Sequence, residues 1–114
     1  MATYMLLLYA EDADEETRAA RWAELPEWDR LTDELREQAV WIANAALHPV
    51  ESATTVRVRD GATAVTDGPF AVTREILAGY YLIDCADLDE ALAVAARIPM
   101  ARYGSVEVRP VVER

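Results

Sequence analysis

The fold of this chain is decided by Ile76-Leu77-Ala78-Gly79-Tyr80-Tyr81-Leu82-Ile83, an uninterrupted run of nonpolar and aromatic residues. A strand with one face in water alternates polar and nonpolar side chains, whereas a run without alternation is typical of a strand buried on both faces. The stretch from Tyr4 to Tyr9 has the same character. These two segments therefore predict two central strands of one sheet.

The chain between these strands predicts helix and then a hairpin. Composition and spacing favour helix from about Asp14 to Ala45, with Pro26 either starting a second helical segment or breaking a single helix. Asp60-Gly61 stands between two runs of strand-forming residues. This dipeptide is a strong signal for a two-residue hairpin turn.

The C-terminal part predicts a helix followed by a strand. Asp87 and Glu90 have the spacing of a capping box, and Pro99 ends the helix that they begin. The residues from Gly104 to Arg109 alternate in polarity, as in a strand with one wet face. The full order predicts an α+β fold, a ferredoxin-like βαββαβ plan with an extra hairpin strand.

In this plan both helices cover the same face of the sheet. The central strands nevertheless present nonpolar side chains to both faces, and each Å² left in water forfeits about 25 cal/mol. We therefore expect a second copy of the chain to cover the other face. The prediction is a homodimer in which two sheets close into a dimeric α/β barrel.

Length and charge restrict the possible functions. The 114 residues fit a single domain over residues 1–114, and a net charge of −10 disfavours nucleic acid and anionic membranes as partners. The single Cys85 predicts a packed, reduced thiol and a cytoplasmic protein. The nonpolar N-terminus lacks the basic start of a signal peptide and predicts a first strand, not a membrane span.

The segment Val65-Thr66-Asp67-Gly68-Pro69-Phe70 specifies backbone geometry and an ionisable group together. Gly68 tolerates positive φ and Pro69 fixes its own φ, so Asp67 is held at a defined angle. We predict that Asp67 is a catalytic acid-base group. The alternative is that these common turn-forming residues make only a turn.

Charged and phenolic residues near the central strand from Ile76 to Ile83 and near the last strand predict a ligand site around this motif. They are expected to converge with the motif on the rim of the sheet and to bind a polar small molecule. The alternative is a set of surface ion pairs. The sequence predicts no metal and no cofactor, and it leaves open the role of His48, the only histidine. The predicted ligand-binding residues are Gly68, Pro69, Phe70, Glu75, Tyr81, Arg102 and Arg109.

A resemblance to a known family lies in the motif from Val65 to Phe70 and in the segments Leu77 to Asp84, Leu88 to Leu92 and Gly104 to Pro110. In these segments the chain closely resembles the DGPF-domain (DGPFAETKE-type) branch of the YCII-related family. The resemblance implies a dimeric α/β barrel and no settled activity. YciI-type relatives carry a histidine on the first helix and an aspartate before a proline after the second helix, a proposed catalytic pair. Here the first helix has no histidine and Ile98 precedes Pro99, so the resemblance carries over only the motif from Asp67 to Phe70.

Two functions follow from these observations. The first is a small-molecule binder or enzyme that uses a cleft beside Asp67 for acid-base chemistry, with the reaction unknown. The second is a non-catalytic accessory or regulatory module, because similar proteins look to be frequently encoded beside extracytoplasmic-function sigma factors. The sequence does not decide between them.

Overall fold

Two layers make up this computed structural model, which describes residues 1–113: an antiparallel sheet and the helices that cover one of its faces. The fold is therefore α+β, as predicted from the sequence. The elements in chain order are β1 (Ala2–Glu11), α1 (Glu15–Trp22), α2 (Leu25–Glu37), β2 (Trp41–Ala46), β3 (Thr54–Arg59), β4 (Ala62–Asp67), β5 (Glu75–Cys85), α3 (Leu88–Arg97) and β6 (Ser105–Pro110).

The main sheet has four strands in the order β2-β5-β1-β6, and each neighbouring pair is antiparallel. The two central strands are β5 and β1, in agreement with the runs of nonpolar residues that predicted them. Leu6 lies opposite Tyr81 in their register. A shift in that register after Leu8 marks a bulge near the end of the sheet, where the chain leads towards α1.

One face of the sheet forms the core together with the helices. Burial alternates along β1, where Tyr4, Leu6, Leu8 and Ala10 are buried and the residues between them are half-buried. The same alternation holds in β5, as expected where side chains of a strand point to opposite faces. The helices add further buried side chains to this cluster, namely Leu31, Leu35, Ala91, Val94 and Ala95.

The helix ends follow the local rules of capping. Asp87 accepts a hydrogen bond from the backbone N–H of Glu90 at 2.9 Å, and the Glu90 carboxylate accepts one from the N–H of Ala86. The predicted pair thus caps the helix, although the Glu90 carboxylate bonds the N–H of the residue before the N-cap and not that of Asp87 itself. At α1 the Asp14 carboxylate accepts from the N–H of Thr17 at 2.8 Å. Hydrogen bonding with the Thr17 side chain, and then with this N–H, lowers the pKa of Asp14. No helix within residues 1–113 is both long and nonpolar enough to cross a bilayer.

The prediction of helix as far as Ala45 was wrong. The second helix ends at Glu37, Ala39 takes a left-handed φ of 59°, and the chain continues as the edge strand β2. This strand pairs with β5, and the carbonyl of Val40 accepts a hydrogen bond from the N–H of Asp84 at 2.8 Å. Pairing with a central strand outweighs the helical spacing of Ile42, because β-branched and aromatic residues such as Ile42 and Trp41 also suit strands.

The predicted hairpin is present, but it does not extend the main sheet. The strands β3 and β4 form a separate two-stranded sheet, joined by Asp60 and Gly61 with φ of 51° and 78°, as a type I′ turn requires. Every residue of β4 is exposed. The expectation of an extra strand in the sheet is therefore corrected: the hairpin projects from the body, and the Cα radius of gyration is 16.0 Å, against roughly 13 Å for a compact domain of 100 residues.

Candidate functional site

A cavity of about 510 Å³ lies between the first two helices and the end of the main sheet. We call it the helix-side cavity. Small residues of the strands, including Ala10, Ala46 and Gly79, form part of its lining and leave room above the sheet. Most of the lining is nonpolar, with a few polar groups among it. The residues used below are Arg21, Trp22, Trp28, Asp29, Thr32, Asn44, His48, Tyr81 and Tyr103.

A tyrosine and a threonine pair through their hydroxyl groups at this cavity. The hydroxyls of Tyr81 and Thr32 are 2.7 Å apart, and Thr32 donates its proton to the backbone carbonyl of Trp28 at 3.0 Å. Because a hydroxyl has one proton to give, Tyr81 is the donor to Thr32, and its oxygen can still accept a hydrogen bond. The ring of Trp28 stacks on that of Tyr81, with centroids 6.3 Å apart and planes 18° apart.

One wall of the cavity is formed by α1, a helix with no buried residue. Arg18 holds this helix in place by ion pairs with Asp12 at 3.0 Å and Glu51 at 3.1 Å. These carboxylates raise the pKa of Arg18, mainly through the hydrogen bonds that they accept. The helix α1 is therefore held by polar contacts of its side chains and not by packing into the core.

A second arginine of α1 lies on an aromatic ring. The guanidinium of Arg21 is 4.8 Å from the centroid of Tyr103, within the range of a cation–π contact. It also donates to the backbone carbonyl of Glu11 at 3.3 Å. Both Arg21 and Tyr103 line the helix-side cavity.

A second cavity, of about 660 Å³, lies between the root of the hairpin and the end of the sheet. We call it the hairpin-side cavity. Both cavities are lined by His48, and they also share Leu47, Pro49, Ile76 and Leu77. The two cavities therefore meet at His48, the histidine whose role the sequence left open.

Five of the predicted site residues are divided among three places. Pro69, Phe70 and Glu75 line the hairpin-side cavity, whereas Tyr81 lines the helix-side cavity. Gly68 has a φ of 96° and forms the turn, where its N–H donates to the carbonyl of Ala53 at 2.7 Å. The predicted convergence of all these residues on one cleft is not seen in the single chain.

The two predicted arginines lie in surface ion pairs. Arg102 donates to both carboxylate oxygens of Glu27, at 2.6 and 2.9 Å, and this pair raises the pKa of Arg102 and lowers that of Glu27. Arg109 pairs with Glu107 in the same strand. Neither arginine is among the residues that line the two cavities. For these two residues the alternative of surface ion pairs describes their contacts.

Asp67 is exposed at the end of β4. Within residues 1–113 its carboxylate makes no hydrogen bond, and it lines neither cavity. The turn after it is held by other groups, because Thr55 donates its hydroxyl proton to the Gly68 carbonyl at 2.8 Å. The catalytic role of Asp67 stays a prediction.

A family model for the YCII-related domain matches residues 2–114. The chain belongs to the YCII-related family. This YCII-related protein is also 54% identical over 68 residues to an uncharacterised protein of Rhizobium meliloti (strain 1021). The match covers 58% of this chain and 55% of that relative, so the chain spans about half the length of the relative it matches. Neither description names a substrate or a reaction.

The buried phenol of Tyr81 gives this YCII-related protein a testable pH dependence. Desolvation by burial raises the pKa of Tyr81, and the nearby Asp29 raises it further. The hydroxyl of Thr32 opposes this shift, because it can turn and donate its proton to the phenolate once Tyr81 is ionised. The folded-state pKa lies above the unfolded value of about 10. The contribution of the protonated Tyr81 to the free energy of unfolding is therefore complete below about pH 10. That contribution decreases as the pH rises from 10 through the folded-state pKa, by at most about 1.4 kcal/mol per pH unit.

We expect Tyr81→Phe to flatten this alkaline decrease, measured as the free energy of urea unfolding at several pH values. At neutral pH the variant should lose about 1 kcal/mol, because Thr32 loses its hydrogen-bond donor. The matched variant Thr32→Val removes the same hydrogen bond and keeps the phenol, so its alkaline decrease should remain. Identical slopes in the wild type and in Tyr81→Phe would contradict this assignment.

Proposed function

We propose that this protein binds a small organic molecule in the helix-side cavity and acts as a homodimer. The observation that carries the proposal is the cavity itself, with its volume of about 510 Å³ and its few polar groups in a mostly nonpolar lining. Ligand sites commonly have this size and composition, since nonpolar walls supply affinity and a few polar groups fix the orientation. Tyr81, Thr32 and Asn44 are the polar groups next to the sheet.

The dimer is supported by the uncovered face of the sheet. The molecule is only 19 Å thick along its shortest axis, the thickness of one sheet and one layer of helices. Met5, Leu7, Tyr80 and Leu82 lie half-exposed on the face opposite the helices. The strand order fits a ferredoxin-like plan with the hairpin as an insertion, and two such sheets packed face to face make a dimeric α/β barrel.

The proposed chemistry, if the bound molecule reacts, is proton transfer. His48 lines both cavities, and the imidazole of histidine is a common general acid and base in proteins. Asp67, from the motif that resembles the DGPF branch, is kept as the candidate catalytic acid-base group. Asp67 shares one face of the hairpin with Val56 and Val65, which are more than half exposed. In the proposal, this face meets the ligand site only in the dimer.

The proposal predicts that members of a metabolite library raise the melting temperature of the wild-type protein. A ligand at a hundredfold excess over its Kd stabilises the folded state by about 2.7 kcal/mol. Ala46→Phe places a ring in the helix-side cavity and should abolish the shift. Ala96→Phe adds the same ring to the exposed side of α3 and should keep it.

The same screen tests Asp67. Asp67→Asn should lower turnover or the ligand-induced shift while leaving the melting temperature without ligand nearly unchanged. A separate measurement tests the dimer: light scattering should give twice the mass of the chain. A shift that Ala46→Phe leaves intact would place the ligand elsewhere. A library without any effect would favour the accessory module linked to sigma-factor signalling.

A further inference from the structure

We infer that the helix-side cavity takes a small aromatic monocarboxylate and that Arg21 binds its carboxylate. This inference rests on the ligand binding proposed above and adds the chemical class of the ligand. It depends on three observations: the contacts of the guanidinium of Arg21, the aromatic side chains around it, and the carboxylates that line the same cavity.

The guanidinium of Arg21 has hydrogen-bond donors to spare. It carries five N–H groups, of which one donates to the Glu11 carbonyl. Among residues 1–113 no carboxylate lies within 4.0 Å of it, whereas Arg18, the other arginine in the lining, pairs with two carboxylates. A planar guanidinium with free donors matches the geometry of a carboxylate, which accepts two parallel hydrogen bonds.

The surroundings of Arg21 favour an aromatic body for the ligand. Trp22, Trp28 and Tyr103 all line the cavity. Aromatic rings pack favourably against one another, and they add about 0.5 to 1.5 kcal/mol beyond the area that they bury. The contact with Tyr103 also holds the guanidinium in one orientation, so less freedom is lost when a carboxylate binds.

The acidic residues of the lining limit the ligand to one negative charge. The carboxylates of Glu11 and Asp12 are neutralised by ion pairs with Arg74 and Arg18. Asp29 has no cation within 4.0 Å in the part of the chain that the structure describes, and it lies close enough to Tyr81 to raise the pKa of its phenol. A second carboxylate in this part of the cavity would be repelled by Asp29, whereas a donor group could bind the oxygen of Tyr81.

The test compares acids with amides of the same shape by isothermal titration calorimetry. The probes are benzoate, phenylacetate and indole-3-acetate, each paired with its primary amide. We expect at least one acid to bind, and to bind about 10- to 100-fold more tightly than its amide, since hydrogen bonds between charged groups are the stronger ones. Terephthalate, with a second carboxylate, should bind more weakly than benzoate, and cyclohexylacetate more weakly than phenylacetate.

Two variants assign the effect to Arg21. Arg21→Gln should bring the affinity of the acid down to that of its amide. Arg36→Gln is the matched control, because Arg36 also lies on an aromatic ring, 4.3 Å from the centroid of Trp41, but outside the cavity lining. The control should keep the preference for the acid.

The outcomes separate this inference from the proposal on which it rests. Equal binding of acids and amides, or loss of the preference in Arg36→Gln, overturns the inference and leaves ligand binding intact. The same holds if no acid binds while neutral members of the library still shift the melting temperature. Only the absence of every ligand effect removes both.

Discussion

Replacing Gly104 with alanine is expected to destabilise the protein by about 3 kcal/mol. A Cβ atom at this position would overlap the backbone carbonyl oxygen of Tyr9. That carbonyl belongs to the central strand β1, which pairs with β6 one residue further on, between Tyr9 and Ser105. Neither backbone can move without disturbing this pairing. Urea unfolding followed by circular dichroism measures the loss.

The control for this substitution is Gly61→Ala in the hairpin turn. Gly61 has a φ of 78° but open space where a Cβ would lie. Its replacement costs only the strain of an L-residue in the left-handed region, about 1 kcal/mol. If both variants lost the same stability, close packing at Gly104 would not be the cause.

The second large effect is expected at Leu35, which is fully buried between α2 and the sheet. Leu35→Ala removes nonpolar contacts and leaves a cavity, and such changes cost about 2 to 5 kcal/mol. The same change at Leu92 of α3, which is 46% exposed, should cost less than about 1 kcal/mol. Equal melting temperatures for Leu35→Ala and Leu92→Ala would contradict the placement of Leu35 in the core.

Much of the fold could be predicted because it depends on local rules. The nonpolar runs of β1 and β5, the turn at Asp60-Gly61 and the capping box of Asp87 and Glu90 each specify their structure within a few residues. The strand β2 could not be predicted in this way. The position of Ile42 after the helix is compatible with a longer helix and with a strand. Pairing with β5, which is distant in sequence, decides in favour of the strand.

The site was less predictable than the fold. Arg21, Thr32 and Tyr81 come from three elements, and nothing in their sequence spacing shows that they line one cavity. Turn chemistry drew attention to Asp67, whereas the larger concentration of nonpolar and polar groups lines the helix-side cavity, which Asp67 does not reach. The sequence signals that could have found the cavity are the lone His48 and the tryptophans Trp22 and Trp28, which flank the junction between α1 and α2.

The helix α1 has a consequence for how this protein can evolve. Because it buries none of its side chains, substitutions along it remove little of the core that keeps the chain folded. The same helix supplies Arg18, Arg21 and Trp22 to the cavity. In the proposed ligand site, the residues that α1 contributes are thus separate from the residues that form the core. Substitutions in this helix can therefore change what the proposed site binds by single steps without approaching the threshold of unfolding.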